Sequence, residues 1–345
     1  MKRLFLLFSF LFLLTACASK PSGPQTLTVM THDSFAVSET VVESFQQANN
    51  AKVVFLRSGD AGAALNKAIL TKNAPLADVF YGVDNTFLAR ALEGDIFQDY
   101  VSPAAADTPV EFNLDPSQHA IPVDYGDVCI NYDKAYFNKN NLAVPKTLEE
   151  LAKPEYKDLL VVENPATSST GLAFLIATRA HFGDGYLDYW KSLKDNGLVV
   201  VDGWETAYYT NFSASSGHGP QPMVLSYATS PAAEVVFAEK PLDDSPTASI
   251  LGPDTCFRQI EFVGILRGSQ HRALAEKFVD FMLSKQFQED MPLQMFVYPV
   301  NKNAILPESF IRYAQTPSQR ASLTPDEIAA NRDAWIKAWV ETVLK

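Results

Sequence analysis

The sequence predicts an α/β fold of two lobes, on three observations. Short apolar runs alternate with amphipathic helical stretches over residues 27–92, and do so again over residues 159–236. Two long extended segments, Ile121–Asp133 (IPVDYGDVCINYD) and Cys256–Leu266 (CFRQIEFVGIL), bracket the second block. The length of 345 residues, 47% of them hydrophobic, suits two cores better than one. Repeated βα units argue for parallel strands with helices on both faces. The bracketing segments imply that the chain crosses to a second lobe and returns, leaving a ligand cleft between lobes joined by crossing strands.

Leu27–Met30 is the first predicted strand, followed by a helical pattern at Val41, Val42 and Phe45. Val53–Leu56 is the second strand, and Ala61–Lys72 a helix with Leu65, Ala68 and Ile69 on one face. Val79–Tyr81 and Asn85–Leu92 complete the first block as strand and helix. The second block reads as strand Leu159–Val162, helix Gly171–Phe182, strand Leu198–Val201, a short helix Trp204–Tyr209, strand Met223–Tyr227 and a helix from Pro231. Near the C-terminus, Arg272–Leu283 carries Leu274, Phe278, Phe281 and Met282 at helical spacing. Thr324-Pro325-Asp326-Glu327 is a capping box that starts a final helix with Ile328, Trp335 and Trp339 on its core face.

Ligands of parallel sheets bind beyond the carboxyl ends of the strands. Candidate loops are therefore His32-Asp33-Ser34, Ser58-Gly59-Asp60 and Gly82–Asn85 in the first block. In the second, NPATSSTG (164–171) brings Ser168 and Ser169 to a helix N-terminus, where hydroxyls and free N–H groups hold anions or polar ligand edges. Ser and Thr also cap helices without any ligand, as Asp60 could. Trp204 and Tyr227 follow two further strands, where an aromatic ring either packs in the core or stacks on a planar ligand, more strongly if that ligand is cationic.

Several functions are disfavoured. The five His show no paired metal spacing, and there is no GxSxG elbow, CxxC pair or phosphate loop. No metal or cofactor is expected. A hydrolase would have to assemble its nucleophile and base from distant positions. A formal charge of −12 opposes nucleic acid and offers no polybasic membrane patch.

Lys2-Arg3, the apolar run Leu4–Leu14 and Leu14-Thr15-Ala16-Cys17 form a signal peptide over residues 1–16, too short to span a bilayer. Its end resembles the lipobox of bacterial lipoproteins, which implies acylation at Cys17. Residues 17–26 would then be a lipidated Cys and polar tether, placing the protein in the periplasm or on the outer face of the cell membrane. Cys129 and Cys256 remain, one in or at the edge of each extended segment; in an oxidising compartment they read as a disulfide, with two buried free thiols as the alternative.

Taken together, the motifs resemble the periplasmic thiamine-binding proteins of ABC importers, within the two-lobed extracytoplasmic solute-binding proteins. The resemblance is carried by LTVMTHDSF (27–35), GDAGAALNKAIL (59–70), ADVFYGVDN (77–85), PVDYGDVCINYDK (122–134), NPATSSTGLAFL (164–175), GWETAY (203–208), LSYATSPA (225–232), YPVN (298–301) and LTPDEIAANRDAWIKAW (323–339). It implies a periplasmic-binding-protein-like fold, with lobe 1 over 27–122, lobe 2 over 123–256, and 257–345 returning to lobe 1 with the C-terminal helices. It also implies a monomer that binds thiamine or its phosphates, makes and breaks no bond, and hands its cargo to an ABC permease. The positions matching the family's ligand contacts are Asp60, Ala61, Ser168, Ser169, Trp204, Tyr227, Ala228, Thr229 and Ser230. The family often has Tyr where His32 stands, Trp at Phe296, Tyr at Ala233 and Gly at Ala61. A ferric-iron-binding protein of the same fold is the alternative, since such proteins use paired tyrosines and Tyr208-Tyr209 is such a pair.

Overall fold

A computed structural model describes residues 23–214 and 218–345, so the signal peptide and Cys17 lie outside the described residues. The first lobe opens with β1 (Gln25–Thr31), α1 (Glu39–Asn49), β2 (Ala51–Arg57), α2 (Ala61–Leu70), β3 (Val79–Asp84), α3 (Leu88–Glu93) and the short β4 (Phe97–Gln98). Helix α2 stops earlier than its pattern predicts because the Thr71 hydroxyl turns back onto the Lys67 carbonyl at 2.8 Å. Helix α3 starts later than predicted because the Asp84 carboxylate takes the Thr86 hydroxyl and the Phe87 N–H into a tight turn. The long β5 (Ile121–Asp133) then crosses the molecule.

The second lobe contains α4 (Lys134–Lys139), α5 (Leu148–Leu151), β6 (Leu160–Glu163), α6 (Ser169–Phe182), α7 (Tyr186–Asp195), β7 (Val199–Val201), α8 (Trp204–Thr206), β8 (Met223–Tyr227), α9 (Ser230–Val236) and β9 (Thr247–Ser249). Every residue of α6 from Ser169 to Thr178 is buried, as expected of a helix apolar on all sides. The chain returns along β10 (Phe257–Leu266) and ends with α10 (Arg272–Met282), α11 (Lys285–Gln294), β11 (Tyr298–Pro299), α12 (Glu308–Tyr313) and α13 (Pro325–Trp339). The capping box at Thr324 and Glu327 is formed.

The main path of the sheet runs β2-β1-β3-β10-β5-β8-β6-β7. The neighbours β2, β1 and β3 are parallel, as are β8, β6 and β7, while β10 and β5 pair antiparallel between these groups. Each lobe thus has its own parallel sheet, and the crossing strands join them. The C-terminal helix also touches the second lobe, where Trp339 meets Trp190 edge-on at 5.4 Å with both rings fully buried. Among the described residues, no helix is long and apolar enough to cross a membrane.

Two contacts fasten β5 to β10. Asp127, almost fully buried, accepts paired N–H bonds from Arg258 and Arg320, with the Nε atoms of both at 2.6 Å. Burial opposes its ionisation, but the two guanidinium groups outweigh that and hold its carboxyl below the usual range. Beside it a disulfide joins Cys129 and Cys256, whose Cα atoms are 4.5 Å apart and 127 positions apart in sequence. For a loop of that size the chain-entropy model gives about 4–5 kcal/mol of stabilisation. Thiol titration of the denatured, unreduced protein should find neither Cys reactive, and reduction should lower the melting temperature; two free thiols would contradict the bridge.

Candidate functional site

The carboxyl ends of β1, β2, β6, β7 and β8 face one another across a cavity of about 280 Å³. From the first lobe come His32 and Asp60, and from the second Ser169, Thr170, Trp204, Tyr208, Tyr227 and Ser230. Glu261 of β10 lies between, and Phe296 follows α11.

Asp60 caps α2 through Oδ1, which accepts the Ala61 N–H at 2.6 Å. Its Oδ2 reaches the other lobe and accepts the Trp204 N–H at 2.9 Å. Burial pushes its carboxyl above the ordinary range, and these N–H bonds oppose the rise. One carboxylate therefore starts a helix in the first lobe and fixes the aromatic wall of the second. The lobes touch again where the Ala63 N–H donates to the Thr167 carbonyl at 3.2 Å.

Trp204 stacks on Tyr208 with ring centroids 5.0 Å apart and planes 18° from parallel. Its indole N–H donates to Ser226 Oγ at 2.9 Å, and the Tyr208 hydroxyl donates to Glu234 at 2.6 Å. Both rings are thereby held in place beside the cavity. Tyr227 lies over Gly126 of β5, where an added Cβ would come within 2.8 Å of the ring, and its hydroxyl donates to Gln259 at 2.7 Å. Phe296 has a left-handed φ of 54°, unusual for a bulky residue, and the Thr229 hydroxyl holds its carbonyl.

The floor is acidic. Glu261 Oε1 lies 3.3 Å from His32 Nε2, an ion-pair distance without hydrogen-bond alignment, and Oε2 accepts the Tyr81 hydroxyl at 3.2 Å. The same hydroxyl donates to Asp124 at 2.6 Å. Burial pushes Asp84 up to about 8, and burial with the Glu261 charge drives Asp124 well above the carboxylate range. Burial would raise Glu261 too, but the neighbouring His32 outweighs it, so Glu261 carries the negative charge of this floor. Gly82 has a φ of 105°, and a Cβ there would come within 2.4 Å of the His32 ring, so only glycine lets the imidazole lie on the floor.

Of the positions singled out in the sequence, His32, Asp60, Ser169, Trp204, Tyr227, Ser230 and Phe296 meet at this cavity. Ala61, Ser168, Ala228 and Thr229 are buried behind its wall: Ser168 Oγ is 2.9 Å from Thr170 Oγ1, the Ala228 N–H donates to the Asp127 carbonyl, and Thr229 works through Phe296. Glu261, Arg57, Met295 and Phe237 also line the cavity without having been singled out as ligand contacts in the sequence, and Tyr208 and Tyr209, noted there only as a pair for iron, line it too. A lone Glu within the apolar run of β10 is the signal that could have exposed Glu261, because buried carboxylates need a reason.

Two lobes joined by crossing strands, closing on an aromatic and acidic cavity, define a two-lobed binding protein. Residues 74–311 match the bacterial extracellular solute-binding protein family, and the chain belongs to it. The thiamine-binding periplasmic protein of Salmonella typhimurium is 32% identical over 96% of this chain and 97% of its own length. That of Brucella suis is 30% identical, covering 99% and 98%. A solved periplasmic thiamin-binding protein superposes with a TM-score of 0.82 at 29% identity, covering 93% of this chain and 96% of that one.

Replacing Asp60 by Ala should remove both the α2 cap, worth about 1 kcal/mol, and the bond between the lobes. The expected result is a lower melting temperature together with faster hydrogen exchange at the Trp204 amide. Unchanged exchange there would show that the carboxylate does not hold the second lobe.

Proposed function

We propose that the protein captures thiamine or its phosphates between its lobes and delivers it to an ABC permease, with no bond made or broken. The observation that carries this reading is the Trp204–Tyr208 wall facing a floor whose charge resides on Glu261. Thiamine offers two planar rings for that wall and a permanent positive charge for that floor. The hydroxyl of Ser169 at the start of α6 suits its hydroxyethyl or phosphorylated tail. The relatives named for thiamine binding support the same ligand. A ferric site would use the Tyr208-Tyr209 pair as oxygen ligands. Here the Tyr208 hydroxyl is committed to Glu234 and its ring to Trp204.

Calorimetric titration of the ligand-stripped protein with thiamine tests the reading. Trp204→Ala removes a partly desolvated cation–π partner worth about 2 kcal/mol and should weaken binding about 30-fold. Wild-type affinity in this variant would refute the site, and a coloured, iron-loaded protein that ignores thiamine would favour the ferric alternative.

The leader and Cys17 support anchoring of the protein to the membrane by lipid. Stable anchoring takes more than one acyl chain, so loss of the acylated Cys should be decisive. Cys17→Ser should move the protein from the membrane fraction to the soluble fraction; a wild-type protein that is already soluble and carries no lipid mass would overturn the anchor.

A further inference from the structure

Two candidate counter-charges for a cationic ligand line the cavity, and the structure separates their roles. Both carboxylate oxygens of Asp60 accept backbone N–H bonds, one inside α2 and one from Trp204. Glu261 is differently placed. Its Oε2 shares the Tyr81 hydroxyl with Asp124, Asp124 itself lies against the carboxyl, and Oε1 faces the His32 imidazole at 3.3 Å, out of line for a hydrogen bond. His32 is in turn held by Ser34, whose Oγ lies 2.9 Å from Nδ1, and it also lines the cavity.

Resting on the thiamine reading, we propose that Glu261 is the counter-ion of the bound cation and that a proton on His32 competes with the ligand for it. When His32 is neutral, the thiazolium takes the imidazolium's place beside the Glu261 carboxylate and supplies the positive charge that keeps it ionised against burial. When His32 is protonated, the imidazolium occupies that role and the floor is electrically closed. Binding and protonation then oppose each other, and by linkage each weakens the other equally.

The surroundings of His32 are consistent with this. Glu261 of β10, Asp60 at the start of α2 and Asp33 of its own loop all face it, and Tyr81 of β3 lies against its ring. Burial lowers the imidazole's proton affinity, but these three carboxylates, Glu261 foremost, more than reverse that and raise it above the ordinary histidine value. Asp124 and Asp84 lie behind Glu261, and burial keeps both protonated more readily than usual. His32 is thus the titratable group that meets Glu261 at the cavity floor, while Asp84, pushed up to about 8, lies behind Glu261 on β3.

The sign follows. Thiamine affinity is greatest above the His32 pKa and falls as pH drops through it, approaching about tenfold per pH unit for one competing proton. The experiment is thiamine titration of the wild-type protein by calorimetry at roughly pH 6 to 8, above the titration of thiamine's own pyrimidine, in buffers of different ionisation enthalpy. Proton release should approach one per thiamine at the acid end and vanish at the alkaline end. A neutral thiophene analogue of thiamine should release none. His32→Gln should bind thiamine with nearly constant affinity across the range. Glu261→Gln should bind at least tenfold more weakly at the alkaline end and lose the pH dependence. Thiamine binding by the wild type without proton release, or undiminished release in His32→Gln, would overturn the competition while leaving the thiamine reading intact. A wild type that binds no thiamine at any pH would overturn that reading and the competition together.

Discussion

The antiparallel pairing of β5 with β10 is the constraint on which the rest of the molecule depends. It joins two parallel sheets that otherwise share no strand, and its register decides which side chains meet between the lobes. Val128 faces Phe257 and Asp127 faces Arg258, which brings Cys129 to Cys256 at one end. In the middle Asp124 faces Glu261, and there the ladder slips, between Glu261 and Phe262 against β5 and one residue later against β3. Such bulges re-aim side chains beside functional sites. The slip coincides with the residue that turns a charge toward the cavity.

Burying Asp84, Asp124 and Glu261 together would be prohibitive if all were ionised. Their environments divide the load. Burial leaves Asp84 and Asp124 reluctant to ionise, Tyr81 bonds to Asp124 and Glu261 at once, and His32 lets Glu261 alone keep its charge. At the other end of the strand pair, Asp127 meets the same cost with two arginines. The two solutions differ in consequence. Asp127 is neutralised permanently and fastens the strands, whereas Glu261 is neutralised by a group that titrates, so its charge remains available.

The βα units, the crossing strands and the loops at the strand ends were legible because each leaves a local mark: an apolar period, an uninterrupted extended run, or hydroxyl and aromatic residues just past a strand. Strands β4, β9 and β11 leave none, being two or three residues long and defined only by the strands they pair with. Helix α11 contains Pro292, which argues locally against a helix although the surrounding core sustains one. The wall of the cavity came from its loops, but its depth did not. Thr229 and Ala228 share a motif with Tyr227 yet lie behind it, because successive residues of a turn cannot all face one cavity. Glu261 was missed for the opposite reason, since it sits in mid-strand, away from any loop, and only the sheet brings it beneath His32.

On the function proposed above, ligand capture and lobe closure form one event. Trp204 belongs to the second lobe, where Ser226 and Tyr208 hold its ring, but its backbone N–H is bonded to Asp60 of the first, a bond that forms only when the lobes meet. Opening the cleft would free the Asp60 Oδ2 and the Trp204 N–H to water and would withdraw the wall from the floor. A ligand stacked on Trp204 while paired with Glu261 touches both lobes and favours the state in which they approach, by as much as its affinity differs between the two states. The binding energy gathered on the wall and the floor therefore serves closure as well as recognition. A partner that recognises the closed pair of lobes would accept the loaded protein without touching the ligand itself.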